Sequence, residues 1–263
     1  MFEFHADRKR YFDIQIQNAV EYVLPFIAKV KTVQKGMRVL EIGCGEAGVL
    51  KPFLELGCDA VGVEFDVIRF GIPKELLWNY ISNGQLKLIG KDIFKVDIDD
   101  ELGGKFDIII LKDVIEHIHD QPKLITDLKQ FLKPEGCIFF GFPPWQMPFG
   151  GHQQLNKNKF LGALPYYHLL PQNIYKWMIK LGNGPVEELM EIRKTKISIE
   201  NFEKISTECG YEIINKKHYL INPIYQFKFG LQARTQLSFI SKIPWFRNFV
   251  TTCAYYLIQP KQQ

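Results

Sequence analysis

Apolar and polar positions follow two periods along this chain, and each change of period marks an element. From about Asp7 to Val30, Tyr11, Ile14, Ala19, Tyr22, Val23, Phe26 and Ile27 recur near helical spacing and predict an amphipathic helix. The period then changes. Arg38-Val-Leu-Glu-Ile42 is a short apolar strand that runs into glycines, and Val49 to Leu56 reads as the helix after it. Ala60-Val-Gly-Val63 is a second strand, 67–82 a helical stretch and Leu86 to Ile89 a third strand. Phe106-Asp-Ile-Ile-Ile-Leu111 is a fourth, very apolar strand. Residues 121–132 predict a helix that stops at Lys133-Pro-Glu-Gly136, and Cys137 to Phe142 a fifth strand ended by Pro143-Pro144. Strands that alternate with helices, and are apolar on both faces, imply an α/β fold with a doubly wound parallel sheet.

After Pro144 the alternation breaks. Residues 145–196 carry Gly150-Gly151, Pro165, Pro171 and Gly182-Asn-Gly-Pro185 among Trp145, Tyr166, Tyr167, Tyr175 and Trp177, the composition of an inserted lid. Alternation resumes with a helix from Ser198, its N-cap, to Cys209, a strand from Tyr211 to Leu220, a mostly helical stretch over 224–248 and a last strand from Thr251 to Ile258. One domain is expected: a helical cover over 1–35, a cofactor-binding core over 36–144, a substrate lid over 145–196, and 197–263 completing the sheet.

The chemistry concentrates in Val39-Leu-Glu-Ile-Gly-Cys-Gly-Glu-Ala-Gly48. Gly43, Gly45 and Gly48 have G-x-G-x-x-G spacing between a strand and a helix, where glycines permit a tight turn and the helix N-terminus offers free N–H groups. Glu64 ends the next strand, where a carboxylate accepts hydrogen bonds from ribose hydroxyls. This spacing alone suits a nicotinamide dinucleotide and an adenosyl cofactor equally. Glu41 separates them, because a carboxylate there repels a pyrophosphate but suits ammonium and sulfonium charges. Lys112-Asp-Val-Ile-Glu-His117 follows the fourth strand, and Lys91-Asp-Ile93 the third. With these blocks the chain resembles class I S-adenosylmethionine-dependent methyltransferases that carry a V-L-E-x-G-C-G loop and a D-V-x-E-H block. The resemblance is good over about 36–144 and a matter of pattern in the C-terminal strands.

That resemblance implies a Rossmann-like sheet of seven strands, mostly parallel, with the last antiparallel. It implies S-adenosylmethionine as cofactor and S-adenosylhomocysteine as product. Glu41, Gly43, Cys44 and Gly45 would line the methionine part and ribose, Glu64 would hold the ribose hydroxyls and Phe65 would pack on the adenine. Asp92 would bind the adenine amino group with Ile93 against the ring, and Lys112 would contribute main chain near the methionine. A covering N-terminal helix makes Arg8 and Tyr11 candidates for the cofactor carboxylate. Glu46 and Ala47 stand where the family more often has small polar residues.

His152, in Phe149-Gly-Gly-His-Gln153, follows the strand at which an acceptor should arrive and is the candidate general base. Asp113, Glu116 and His117 would share a face if helical, and with His152 they could ligate a divalent metal; a capped helix with His117 packed under the site is the preferred reading, and no metal is expected. Tyr166, Tyr167 and His168 either line an acceptor pocket or form the lid's own core. Trp245-Phe-Arg-Asn-Phe249 reads as a packed helix end.

Composition narrows the partners. Lys plus Arg is 33 against 29 Asp plus Glu, a net charge of +4, which is not a nucleic-acid footprint. No Asn-Pro-Pro-Tyr-like motif follows the fourth strand, which also argues against base methylation. The five cysteines are scattered without C-x-x-C spacing, the N-terminus lacks a signal-like apolar run, and no run of ~18 apolar residues occurs, so a cytoplasmic protein without a transmembrane segment is expected. The expected activity is methyl transfer to a small-molecule acceptor, with oxygen preferred. A nicotinamide-dependent oxidoreductase and a catalytically silent scaffold are the alternatives.

Overall fold

The computed structural model describes residues 7–261. Eight strands form one sheet: β1 Arg38–Ile42, β2 Asp59–Val63, β3 Leu86–Ile89, β4 Phe106–Lys112, β5 Leu132–Phe142, β6 Tyr211–Ile221, β7 Arg234–Thr235 and β8 Cys253–Pro260, in the order β3-β2-β1-β4-β5-β8-β6-β7. β1 to β5 are mutually parallel, and β8, last in sequence, is antiparallel to both β5 and β6. The expected architecture is therefore present. The additional strand is the two-residue β7, which pairs with the outer edge of β6.

β4 shows why the sheet is covered on both sides. Ile109 and Leu111 enter one core cluster with Leu40, Phe140, Phe202 and Tyr256, while Ile108 and Ile110 enter the opposite one with Phe26, Phe139 and Tyr255. Side chains alternate across a strand, so a run of isoleucines is stable only when both faces are dry. Each such side chain contributes roughly 1.5–3 kcal/mol of transfer free energy.

The N-terminal helix starts at Arg8–Asn18, where Asp7 accepts from Arg10 N, and continues through a π-helical turn, Ala19–Val23, into Leu24–Ala28. It buries Phe12, Ile14, Val23, Phe26 and Ile27. Two expectations change. The helix over 121–132 ends earlier, as Gln121–Asp127 plus a 3-10 turn Leu128–Phe131, and β5 already begins at Leu132. The residue before a proline favours extended backbone, and Lys133-Pro134 joins the strand for that reason. The stretch 224–248 is only partly helical, in Ile224–Phe229, Ser238–Ser241 and the start of Phe246–Phe249. Gly230, at φ +71°, stops the first of these, and Arg234–Thr235 is drawn into the sheet.

Residues 145–196 leave and rejoin the core at one hydrogen bond, Trp145 N to Ile197 O at 2.7 Å. Their helices Lys159–Ala163, Gln172–Leu181 and Val186–Thr195 bury a cluster of their own that includes Trp145, Tyr167, Tyr175, Ile179 and Leu189. Gln121 ties this unit down by donating to the carbonyls of Ile115 and Thr195. Among the described residues no helix is long and apolar enough to cross a membrane.

Candidate functional site

The parallel strands β1, β2, β3 and β4 end together, and the loops after them carry the titratable groups. The loop after β1 turns sharply: Gly43 and Gly45 have φ of +69° and +54°. A Cβ on Gly43 would lie 2.5 Å from Val114 Cγ2, and one on Gly45 2.9 Å from the Arg69 guanidinium carbon. Gly48 has another purpose. A side chain there would strike Phe12 O at 2.6 Å, and its N–H donates to Gln15 Oε1. It is the contact point of the N-terminal helix. The expected open helix N-terminus is thus partly closed: Gly48 N is used by Gln15 and Leu50 N by Ala47 O. Cys44 is also spent on the fold. Its N–H donates to Val63 O, its carbonyl accepts from Ala47 N, and its side chain packs under Gly62.

Glu64 reaches back to this loop. Its Oε2 accepts from Gly45 N and its Oε1 from Asp66 N, both at 2.9 Å. Glu41 is buried, and its Oε2 has no hydrogen-bond partner among the described residues. Burial pushes the Glu41 carboxyl well above the usual carboxylate range; Lys112 pulls it down and Glu64 pushes it further up. An orphaned carboxylate at the end of a buried strand is costly unless a cation completes it. The N-terminal helix packs against this side: Arg8 Nη1 donates to Ile68 O at 2.7 Å, and Tyr11 stands where Lys112, Asp113, Arg69 and Glu46 all act on its hydroxyl.

Sequence reasoning missed Arg69. It grips Glu46 through two hydrogen bonds, at 3.2 and 2.9 Å, and its Nη1 lies 3.9 Å from Glu64. The only sequence signal was Glu46 itself, a carboxylate in a loop that usually carries small polar residues. The adenine-side candidates are more dispersed. Asp92 caps the turn Ile93–Lys95 by accepting from Phe94 N, Ile93 is packed into the main core, and Phe65 is 80% exposed.

On the other side of β4, Lys112 Nζ is buried and paired with Asp113 at 2.5 Å. Burial opposes a charged lysine, but Asp113 and Tyr11 outweigh it and hold its pKa above the usual value. The predicted helical face of Asp113, Glu116 and His117 does not form. Asp113 has φ +57°, and only Ile115–His117 makes a 3-10 turn. Among the described residues no three His, Cys, Asp or Glu side chains are placed to hold a metal ion.

His117 and His152 do meet, with ring centroids 5.2 Å apart. His152 sits at φ +53° after Gly150-Gly151. Burial pushes its pKa down to about 4, helped by His117 and opposed by Asp113. Lys228, from the helix Ile224–Phe229, is pushed by burial down to about 8 against the pull of Asp113, and lies 5.0 Å over the Tyr11 ring. Lys228 could not be placed from sequence, since it arrives from a distant element. Of the two readings of Tyr167 and His168, the insertion's own core is the one observed. Both are buried there, and His168 is held by Gln153 and by Trp145 O. Tyr166 turns outward to Phe249 O. Two hollows, of about 40 and 240 Å³, lie away from this chemistry, one beside Ile93 and Phe131 and one between the insertion and Trp245.

A doubly wound sheet with an antiparallel last strand, a glycine turn and acids after β1 and β2 defines a nucleoside-cofactor enzyme of the methyltransferase kind. The chain belongs to the methyltransferase domain family, whose profile it matches over residues 12–173. It is 24% identical over 213 residues to a ubiquinone biosynthesis O-methyltransferase of Rhizobium etli, covering 80% of this chain and 74% of that protein. It is 27% identical over 156 residues to one from Rhodopseudomonas palustris, and spans about half of that protein, 54%. Among solved structures it resembles magnesium protoporphyrin IX methyltransferase from Synechocystis, solved with S-adenosylhomocysteine (TM-score 0.56, 14% identity, 98% of this chain and 95% of that one). It also resembles a phosphoethanolamine N-methyltransferase of Haemonchus contortus (TM-score 0.55, 14% identity, 94% and 52%). At such identities the structures establish the fold. The nicotinamide alternative is set aside.

Proposed function

We propose that this methyltransferase moves the methyl group of S-adenosylmethionine to a hydroxyl oxygen of a small, largely apolar acceptor. The observation that carries the reading is the buried Glu41 carboxylate, with Oε2 unpartnered beside the glycine turn. The donor set fits the cofactor. Glu41 would complete its charge with the ammonium group, Gly43 and Gly45 leave room for a close approach, and Glu64 has lone pairs for the ribose hydroxyls. Arg69, fixed by Glu46, offers Nη1 to the cofactor carboxylate. Asp92 and Phe65 take the adenine side, and Tyr11 covers the methionine end. When bound, the cofactor supplies an electrophilic methyl on a sulfonium.

The remaining chemistry belongs to side chains on the far side of β4. With the cofactor bound, the acceptor oxygen would bond to the methyl carbon as the carbon–sulfur bond breaks, its electron pair staying on sulfur. The hydroxyl proton goes to His152, which is neutral at pH 7. A weak base suffices, because an oxygen that is gaining a methyl group becomes strongly acidic as charge develops. Asp113 opposes the fall of the imidazole pKa and would stabilise the imidazolium. Residues 145–196 act in this reading as the lid that excludes water and selects the acceptor. The names of the rhizobial relatives favour oxygen as the acceptor atom and a small phenolic or quinol-like molecule over nucleic acid. Cytoplasmic localisation remains part of this proposal.

The test is a labelled-methyl assay over a panel of phenols and catechols. His152→Ala should lower turnover about 10²-fold, the ordinary contribution of a positioned base, and leave affinity for S-adenosylhomocysteine unchanged. Full turnover in that variant removes His152 from the role. Absence of S-adenosylhomocysteine binding by the unaltered chain would defeat the whole reading.

A further inference from the structure

The segment Trp245–Phe249 is turned inside out relative to its sequence expectation. Its polar residues are buried: Arg247 bridges Glu200 at 2.8 Å and Glu203 at 2.9 Å, and Asn248 accepts from Ile199 N and donates to Glu200. Its aromatics face outward, with Trp245 59% and Phe246 50% exposed. The preceding chain does the same, with Leu231, Leu237, Phe239 and Ile243 all exposed, Phe239 at 65%. Large apolar side chains so concentrated on a surface mark an interaction face.

Charge says what covers it. No Asp or Glu follows Glu212 in the sequence, whereas Lys216, Lys217, Lys228, Arg234, Lys242, Arg247 and Lys261 do. Arg234 and Lys242 stand exposed among the outward apolar residues. The 240 Å³ hollow beside Trp245 adds Arg193 and Lys196 from the insertion. Arg247 and Lys216 are committed to Glu200 and Glu203, but Trp with Phe and Leu, interleaved with the exposed Arg234 and Lys242, is the composition that seats in the interfacial layer of a bilayer and is drawn to anionic headgroups. A protein partner binding by apolar contact alone would not require a whole C-terminal stretch without acids.

We propose that residues 229–249 dock this enzyme, peripherally, on an anionic lipid surface, with Phe239, Trp245 and Phe246 inserted among the headgroups and Arg234 and Lys242 on the lipid phosphates. The same segment follows the helix that carries Lys228 to the reaction side of β4, so a lipid-dissolved acceptor would reach the site from the docked face. The docking itself is independent of the proposed methyl transfer.

Flotation of the full chain with vesicles tests it, comparing phosphatidylglycerol–phosphatidylcholine mixtures with phosphatidylcholine alone. The unaltered chain should float with the anionic vesicles and stay behind with neutral ones. Arg234→Glu with Lys242→Glu should weaken binding by at least about tenfold, since each basic group near such a surface is worth about fivefold. Phe239→Ser with Phe246→Ser should lower binding to the same vesicles. Trp245 fluorescence, identified by subtraction with Trp245→Phe, should be quenched by brominated lipid. S-adenosylhomocysteine affinity serves as the folding control for each variant. An unaltered chain that ignores anionic vesicles overturns the proposal. So does a chain that shows a dimer in gel filtration, lost on Phe239→Ser with Phe246→Ser, and no lipid binding; the apolar face would then join two copies of the chain.

Discussion

The glycine-loop side and the side of His117 and His152, proposed to take the acceptor, flank the same strand, β4, yet they are assembled differently. On the first, the decisive atoms are close in sequence: Glu41, Gly43 and Gly45 lie within one turn, and Glu64 reaches them from the neighbouring strand. On the second, the contacts join distant segments. Thr195 Oγ1 donates to Glu116 O across 79 positions, and Gln121 to Thr195 O across 74. Among the described residues the first side is rich in acids and lacks histidine, whereas His117, His152 and His168 all belong to the second. On the proposed reading, a cofactor shared by a family would be met with local geometry, and an acceptor particular to one enzyme with an insertion held by long-range bonds.

The sharpest way to break that contrast is to loosen the packing beside the insertion. Among the described residues Arg247 is the one cation shared by Glu200 and Glu203, and burial alone would push both carboxyls up. Trp245 N, Asn248 and Arg247 hold Glu200 below the usual range, and Lys216, Tyr256 and Arg247 hold Glu203 there. Arg247→Met should therefore cost ~3 kcal/mol of unfolding free energy, the scale for removing one partner of a buried pair. It should leave S-adenosylhomocysteine affinity per folded molecule intact, because no cofactor-loop residue touches it. Denaturant titration beside calorimetry decides this; a matching loss of affinity would mean the two sides fold and bind as one unit.

The same division governs what could be read in advance. β1 to β5, the glycine turn and Glu64 declare themselves because strand alternation and loop spacing are local properties of the chain. The Ser198 N-cap is equally local, and it accepts from Asn201 N as expected. The Asp113–His117 turn departs from helical spacing because Asp113 adopts a left-handed backbone, which nothing local in the sequence announces. Lys228 and the outward Phe239 and Trp245 were illegible because their surroundings depend on which distant helix packs beneath. Arg69 falls between these cases. It lies close to Glu64 in sequence, yet its pairing with Glu46 exists only once two loops meet.

A change on the cofactor side should show the opposite signature. Glu64→Ala removes the acceptor of Gly45 N and Asp66 N and the carboxylate facing Arg69. The loss of a charge-assisted hydrogen bond, about 1.5–3 kcal/mol, should appear as weaker S-adenosylhomocysteine binding by roughly ten- to a hundredfold. The vesicle docking of residues 229–249 should be unchanged. Isothermal titration and flotation on the same preparation give both answers, and unaltered affinity would remove Glu64 from the cofactor site.

The smallest expected effect concerns acid. His152, His168 and His218 are each pushed down to about 4, chiefly by burial, from an unfolded value near 6.5. The folded chain thus refuses protons that the unfolded chain accepts between those two values. Stability contributed by the neutral rings is present above pH ~6.5 and is lost as the pH falls toward 4, with a slope of ~1.4 kcal/mol per pH unit for each ring. His168 is fully buried between Gln153 and Trp145 O, so it should carry its share undiminished by solvent. His168→Asn will lower stability at every pH, but the loss between pH 7 and pH 5 should shrink by about 1–2 kcal/mol. Urea midpoints at the two pH values measure that difference. An unchanged difference would place the acid sensitivity at rings other than His168, such as His152 and His218.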